Sequence, residues 1–483
     1  MMVRRLEASW TGFLVWKTQF DRESPDHLSS TPCPPQRGDV MRERRQMETT
    51  IVRDAVRHDF APAGQCHMTG TVHPHRLAHA PWLKRAETRA VLRALDAQGH
   101  ASRFVGGIVR NALIGRAVSD IDIATTALPD ETIKAALAAG LAAVPTGIDH
   151  GTVTVVANHV PHEVTTLRRD VTTDGRRATV AYTKDWQEDA CRRDLTINAL
   201  YCDGDGTVTD YVGGMADLEA RRVRFIGAAR DRIREDYLRI LRFFRFTAEY
   251  SAGVPDAIGL AACDAERGGL AQLSAERVRA EVLKLLVSDS AVAMTDVMHG
   301  HGYLLQLFGT EPDSGTFSRL VAIERVTRQS PDAILRLAAL VVHGVEDAQR
   351  LGRTLRLAKT ESVMLRHVAE ARLTDQDIGD ARAARVRLYR TGEERYRAWM
   401  LRAWARSAAA PDDAAWRHCM DAPRQAPVAE MPISGRDIVK AGVPPGPEVG
   451  RLVRLLEAWW IERDFAPDAA SILAELKRRL AAG

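Results

Sequence analysis

Two aspartates two positions apart, Asp120 and Asp122, follow a glycine pair, Gly106 and Gly107, and an arginine, Arg110, within residues 105–126 (VGGIVRNALIGRAVSDIDIATT). Alternate residues of a strand point to one face. Asp120-Ile121-Asp122-Ile123 read as a strand sends both carboxylates out together and both isoleucines toward a core. Parallel carboxylates repel and are hard to keep ionised unless a cation lies between them. Oxygen-only ligands suit Mg²⁺, which also takes substrate phosphates. An isolated Asp-x-Asp is more often a solvated strand edge, but a Gly-Gly-x-x-Arg turn just upstream reverses that balance. Gly106 and Gly107 permit a tight turn and close backbone approach to a phosphate. A helix over residues 109–114 that starts there would aim free N–H groups at an anion, with Arg110 adding charge. The turn alone is a weak signal. It is neither G-x-G-x-x-G nor a P-loop, and glycine pairs also serve helix–strand packing.

The elements that must position these groups can be read around them. Residues 86–95 form an amphipathic helix with Val91, Leu92 and Leu95 on one face, ended by Gly99, and residues 102–105 are a short strand leading into the glycines. A helix near 130–139 precedes two strands, 152–157 and 163–167. Glu163 on the second reads equally as a third carboxylate beside the pair or as an exposed glutamate. Residues 168–184 are polar, basic and glycine-containing, which predicts a mobile loop. In residues 189–200 (DACRRDLTINAL), Arg192, Arg193, Asp194 and Asn198 are expected on a helix whose Leu195, Ala199 and Leu200 face inward. On the residues alone, a solvated face is the favoured reading of these polar groups.

Residues 233–248 (IREDYLRILRFFRFTA) carry the second informative pattern. As one helix, Ile233, Tyr237, Ile240, Leu241, Phe244 and Ala248 make an apolar stripe. Asp236, Arg239, Arg242 and Arg245 recur every three residues, so they sweep across the polar face with Asp236 beside Arg239. A salt-bridged solvent face is the common explanation of such a run. The alternative is base recognition. Cytosine and adenine each present an amino donor next to a ring-nitrogen acceptor, whereas uracil and guanine present the opposite order. A carboxylate beside a guanidinium would accept C and A, and a mismatch would leave buried polar groups unpaired.

The chain has 483 residues, which suggests two to four domains, with 45% hydrophobic residues and a formal net charge of +4. No apolar run is long enough to span a bilayer. The six cysteines fit no zinc or disulfide spacing, so free thiols in a reducing cytosol are expected. Residues 1–80 lack periodicity and read as a disordered extension, with order beginning at Trp82. Beyond Tyr250 the pattern is helical throughout, including a helix opened by Ser274 and segments at 333–342, 353–373, 381–407 and 451–460. His343 is followed by Gly344, so the His-Asp pair of a metal phosphohydrolase is missing there. Lys440, Arg451, Arg454 and the basic run at 477–479 read equally as backbone-tracking charges for RNA or as solvated helix faces.

These stretches, in this order, resemble the class II tRNA nucleotidyltransferase and poly(A) polymerase family over residues 82 to the end. GGIVRNALIGRAVSDIDIATT, CRRDLTINAL, DYVGGMADL and EDYLRILRFFRF correspond to its successive motifs, and LSAERVRAEVLKLL and ISGRDIVKAGVPPGP resemble later family segments. The resemblance implies an α+β fold of several domains: a nucleotidyltransferase head over 81–205 with a small mixed sheet, a base-selecting helical neck over 206–290, and a helical RNA-binding body and tail over 291–483. It implies that Asp120 and Asp122 hold metal, that Gly107 and Arg110 meet a triphosphate, and that Arg193 contacts the nucleotide, supported by Asp194 and Asn198. Asp236 and Arg239 become a protein template for the incoming base, with Arg242 and Arg245 completing the pocket. Asn111 departs from the family's usual aspartate, weakening a local ion pair. The implied substrates are CTP, ATP and the tRNA 3′ end, with Mg²⁺, in the cytoplasm, with no membrane and no obligate protein partner. PTGIDHGTVTVV followed by EVTTLRRD looks like the CCA-adding branch, and poly(A) polymerase or a CC- or A-only enzyme is the alternative. A catalytically inactive RNA-binding relative is a further class, disfavoured because nothing else would retain two repelling aspartates.

Overall fold

Alternation along β2 (Ser102–Val105), β3 (Asp122–Thr125) and β9 (Leu200–Cys202) gives the sheet two apolar faces. Phe104, Ile123, Leu200 and Cys202 face the main core, while Val105, Ala124 and Tyr201 join a smaller cluster with Leu167, Ala190, Ala199 and Ile226. The computed structural model describes residues 70–174, 177–370, 378–421 and 428–481, with backbone only over 170–174 and 177–180. Residues 1–69, expected to be disordered, lie outside the described residues.

The remaining strands are β1 (Thr71–His73), β4 (Ala142–Gly147), β5 (Thr152–Ala157), β6 (Val160–Thr166), β7 (Arg168–Asp174), β8 (Arg177–Tyr182) and β10 (Val208–Asp210). Eight of them form one mixed sheet in the order β1-β10-β9-β2-β3-β6-β5-β4, in which only β3 and β6 run parallel. The helices Ala86–Asp96 and Pro129–Ala138 pack on the main-core face of this sheet. From Gly214 onward the described chain is helical, and one apolar core runs from Leu77 to Met420. A second core, Ile433 to Leu476, belongs to the last helices. This is the α+β architecture the sequence implies.

Five expectations change. Order begins before Trp82, because β1 pairs with β10 and Leu77 is buried. Residues 168–184 are largely a two-stranded ribbon, β7 with β8, since alternating polar and β-branched residues suit strand pairing. The predicted helix through Arg192–Asn198 is instead a short helix, Trp186–Cys191, a turn, and a 3₁₀ turn at Thr196–Asn198. The predicted helix over 233–248 is two helices, Ala229–Glu235 and Leu238–Tyr250, because Asp236 is extended (φ −158°, ψ 106°) and its Oδ1 accepts from the Leu238 N–H at 3.1 Å. Likewise Gly392, at φ 77°, splits residues 381–407 into Ala381–Thr391 and Glu393–Arg406. Among the described residues no helix is long and apolar enough to cross a membrane.

The 70–80 segment is pinned by one glycine. Leu77 N–H donates to the Gly206 carbonyl at 2.9 Å, and Gly206 has φ +89° with room for no side chain: a Cβ there would lie 2.2 Å from the Ala78 nitrogen. Gly206→Ala is therefore expected to cost about 1–3 kcal/mol and to loosen residues 71–78 first. Thermal melting together with hydrogen exchange over those residues reads both effects.

Candidate active site

The β2–helix turn brings the two halves of the site together. Gly106 caps the Gly107–Leu113 helix with φ +75°, and a Cβ built on it would sit 3.9 Å from Arg193 Nη1 and 4.0 Å from Asp122 Oδ2. A side chain would fit at those distances; it is the backbone, at φ +75° and ψ −127°, that calls for glycine here. Asp122 opens β3, and its parallel partner on β6 is Glu163. Directly paired residues point to one face, so Glu163 lies beside Asp122 as a third carboxylate, itself exposed. Asp120 precedes the strand rather than lying within it, but Ile121 and Ile123 are both buried and the alternation holds. Asp120, Asp122, Gly107, Arg110 and Arg245 all line one cavity of about 440 Å³ between the sheet and the Leu238–Tyr250 and Ala275–Leu286 helices.

Burial, then the neighbouring Glu163, pushes the Asp122 carboxyl up to about 6, with Asp120 adding to it against the opposing Arg193 and Arg110. A carboxylate whose proton affinity is raised by neighbouring acids suits a hard divalent cation as a donor. Among the described residues no three His, Cys, Asp or Glu side chains are grouped as a ready metal cage.

Arg110, Asn198, Asp194, Arg242 and Arg245 fall into one polar network, while Arg193, Asp236 and Arg239 find other partners. Arg110, only 6% exposed, donates to Asn198 Oδ1, to Asn111 Oδ1 from Nε (3.2 Å) and Nη2 (3.1 Å), and to the Tyr250 hydroxyl (2.7 Å), while stacking on the Tyr250 ring at 4.1 Å. Asn111 thus still holds Arg110, through an amide oxygen instead of a carboxylate. Asn198 Nδ2 donates to Asp194 Oδ1 (3.1 Å), and Asp194 Oδ2 accepts from Arg242 Nε (2.7 Å). Burial opposes ionisation of Asp194, yet the Arg242 guanidinium holds its carboxyl well below the usual range. Glu281 accepts from Arg245 Nε at 2.5 Å and lies 3.7 Å from Arg242 Nη1. Arg193 donates to Asp189 Oδ2 (3.1 Å) and to the Tyr201 hydroxyl (3.2 Å).

The expected Asp236–Arg239 pair is not a direct contact. Asp236 Oδ2 accepts from Arg277 Nη2 (2.6 Å), whereas Arg239 donates to Glu235 and to the Arg232 carbonyl (2.7 Å). The helix break at Asp236 is the reason, since it takes that side chain off the face that carries Arg239.

Sequence reasoning missed Asp189 and Glu281. Burial alone would raise the Asp189 carboxyl, but Arg193 and Arg192 bring it down to about 2. Its spacing, three and four residues before two arginines, was a readable sign. Glu281 shares the apolar face of its helix with Val278, Val282 and Leu285, and an acid on such a face needs a buried cation. Arg232 was also missed; its Nη2 donates to the Arg192 and Arg193 carbonyls and ties the Ala229–Glu235 helix to that turn.

The Asp122 shift has a stability consequence. Its folded value lies above the ordinary 3.8, so the fold is penalised where the carboxyl must ionise: not below pH 3.8, fully above about 6. In metal-free buffer, Asp122→Asn should raise the melting stability at pH 8 by about 1–2 kcal/mol, after discounting for partial exposure, and the gain should vanish near pH 3.8. Paired thermal melts across that range are the check.

Comparison with known proteins adds to this geometry. The family described as "Poly A polymerase head domain" matches residues 102–224, and that described as "Probable RNA and SrmB- binding site of polymerase A" matches 260–313. The chain is 33% identical over 400 residues to the Homo sapiens CCA tRNA nucleotidyltransferase 1, mitochondrial, covering 79% of this chain and 87% of the relative. It is 32% identical over 383 residues to the CCA-adding enzyme of Levilactobacillus brevis, covering 76% and 91%. The crystal structure of the Bacillus stearothermophilus CCA-adding enzyme in complex with CTP superimposes with a TM-score of 0.64 at 26% identity, covering 83% of this chain and 98% of that one. The Thermotoga maritima CCA-adding enzyme complexed with tRNA_CCA shares the fold, with a TM-score of 0.56 at 17% identity over 86% and 100% of the two chains.

Proposed function

The chain belongs to the tRNA nucleotidyltransferase and poly(A) polymerase family, and from that membership we propose that it adds C, C and A, from CTP and ATP, to the 3′ end of tRNA without a nucleic-acid template. The observation that best supports this reading is the unbroken polar network from the turn beside Asp122, through Arg110, Asn198 and Asp194, to Arg242 on the neck helix. It links a phosphate-and-metal site to a helix able to read a base.

The tRNA 3′-hydroxyl attacks the α-phosphate in line, and pyrophosphate leaves. Nucleotidyltransferases of this family use divalent metals, and we assign Mg²⁺ because Asp120 and Asp122 offer only oxygen. When bound, such ions lower the hydroxyl's pKa and offset the charge of the leaving group. Asp120 and Asp122 hold them, and Glu163 sharpens the local field. Gly107 and Arg110 receive the triphosphate, Arg193 contacts the nucleotide, and Asp194 with Asn198 keeps these cations oriented. Reading C or A requires Asp236 and Arg239 to exchange Arg277 and Glu235 for the base edge, with Arg242 and Arg245 closing the pocket. Residues 81–205 serve as head, 206–290 as neck, and 291–483 as RNA-binding body and tail. The setting we assign is the cytoplasm.

Incubation of the protein with tRNA lacking its 3′ end, and with each NTP alone or combined, tests this directly. The expected product gains C, C and A and stops. Long A tails would favour the poly(A) polymerase reading, and no extension would overturn both. Asp120→Ala and Asp122→Ala should each lower transfer by about 10³-fold or more with the fold retained; turnover within tenfold of wild type would remove the carboxylates from the chemistry. Arg239→Ala should lose discrimination among the four NTPs, measured as the ratio of kcat/KM values.

A further inference from the structure

A second cavity, of about 510 Å³, lies against the first, and Arg116, Val118 and Ser119 line both. The partition between them is thus the segment that leads directly into Asp120. The two differ in charge. The catalytic cavity mixes Asp120, Asp122, Glu249 and Asp289 with Arg110, Arg116, Arg245 and Lys284. The second has Arg76, Arg85 and Arg116 on its wall and no carboxylate at all. Arg85 forms no ion pair among the described residues, and Arg76 reaches only Glu219 at 3.7 Å, with both side chains exposed. Arg116, the third, is taken by Asp289 at 2.6 Å, which leaves Arg76 and Arg85 as the guanidinium groups suited to an anion on this carboxylate-free wall.

Apart from His79 and Ser119, the rest of the wall is apolar. Leu77, Trp82 and Ile121 are buried, and the Trp82 indole N–H has no hydrogen-bond partner. An apolar wall beside a guanidinium rim matches an unstacked nucleobase and its phosphate, and the volume is that of a small-molecule pocket. A free nucleoside triphosphate is a poorer occupant, because its reacting phosphate must lie beside Asp120 and Asp122 in the other cavity. A strand whose last residue reaches those aspartates would pass along the 116–119 partition.

We propose that this cavity, walled by Trp82 and rimmed by Arg76 and Arg85, holds the nucleotide that precedes the 3′-terminal one in the single-stranded end of the RNA substrate. The inference rests on RNA being the acceptor in the proposed reaction. It assigns residues 76–85 to gripping the acceptor strand and gives them no part in binding the incoming nucleotide.

The test compares wild type with Arg76→Ala/Arg85→Ala, substitutions of exposed side chains outside the catalytic cavity. Binding of a tRNA lacking its terminal A is measured by fluorescence anisotropy over a salt series, alongside steady-state KM values. The variant should bind about tenfold more weakly, with its log–log salt slope shallower by about 1.4 for two lost single-strand phosphate contacts. Its kcat and its KM for ATP should stay within twofold. Unchanged tRNA affinity and salt slope, or a weakening confined to ATP, would overturn the inference. Photocrosslinking is the second readout: 4-thiouridine at the penultimate position of that tRNA should crosslink within residues 76–85, and crosslinks confined to other segments would contradict the placement. If wild type binds this tRNA through the two arginines but adds no nucleotide, the reaction reading fails and the cavity assignment stands.

Discussion

The arrangement depends on one half-buried ion pair, Asp194 with Arg242. Asp194 stands in the turn that follows the Trp186–Cys191 helix; Arg242 stands on the Leu238–Tyr250 helix, 48 residues later. An acid left without its cation in such a half-buried place would cost about 1–3 kcal/mol, so each residue obliges the other to be present and aligned. Asn198 extends the pair toward Arg110 and the Gly106–Gly107 turn, and Glu281 extends it toward Arg245. The sheet and the Leu238–Tyr250 helix are thereby held in one register. The benefit of such a network is geometric: buried ion pairs add little net stability compared with apolar packing, but they admit few alternative arrangements.

The same constraint explains the strained chemistry next to it. Glycine at 106 brings Arg193 and Asp122 within reach of one another, and β3–β6 pairing brings Glu163 beside Asp122. The protein holds the Asp122 carboxyl at a raised proton affinity, a local cost that only a bound cation would relieve. Arg110 is buried under comparable stress, its proton affinity lowered by burial, and it is kept in place by Asn111, Asn198 and Tyr250.

Much of this was legible in the sequence because it is local. The Asp-x-Asp alternation, the glycine turn and the Ser274 helix start depend on neighbouring residues, and the structure places them as read. Where reading failed, a distant partner or a break decided the outcome. The Ile233–Ala248 pattern fits one helix perfectly well; the chain breaks it because Asp236 caps the second helix and reaches Arg277. Arg192 to Asn198 fit a helix by periodicity, but Leu195 bridges to Phe225 and Arg193 is drawn to Asp189 and Tyr201. The 168–184 ribbon has no apolar face from which to predict it. Residues 70–80 gave no period, since a three-residue strand pinned by Gly206 is too short to show one.

The central claim is that Asp194 and Arg242 act as one coupling element between the reacting end and the base-selecting end. A double-mutant cycle in kcat/KM for nucleotide addition to tRNA, using Asp194→Ala, Arg242→Ala and the double variant, addresses it most directly. The account predicts that each single change is severe and that the double variant is scarcely worse than either, a coupling of about 2 kcal/mol or more. Losses that simply add would show that the two residues work independently, and the account would fail.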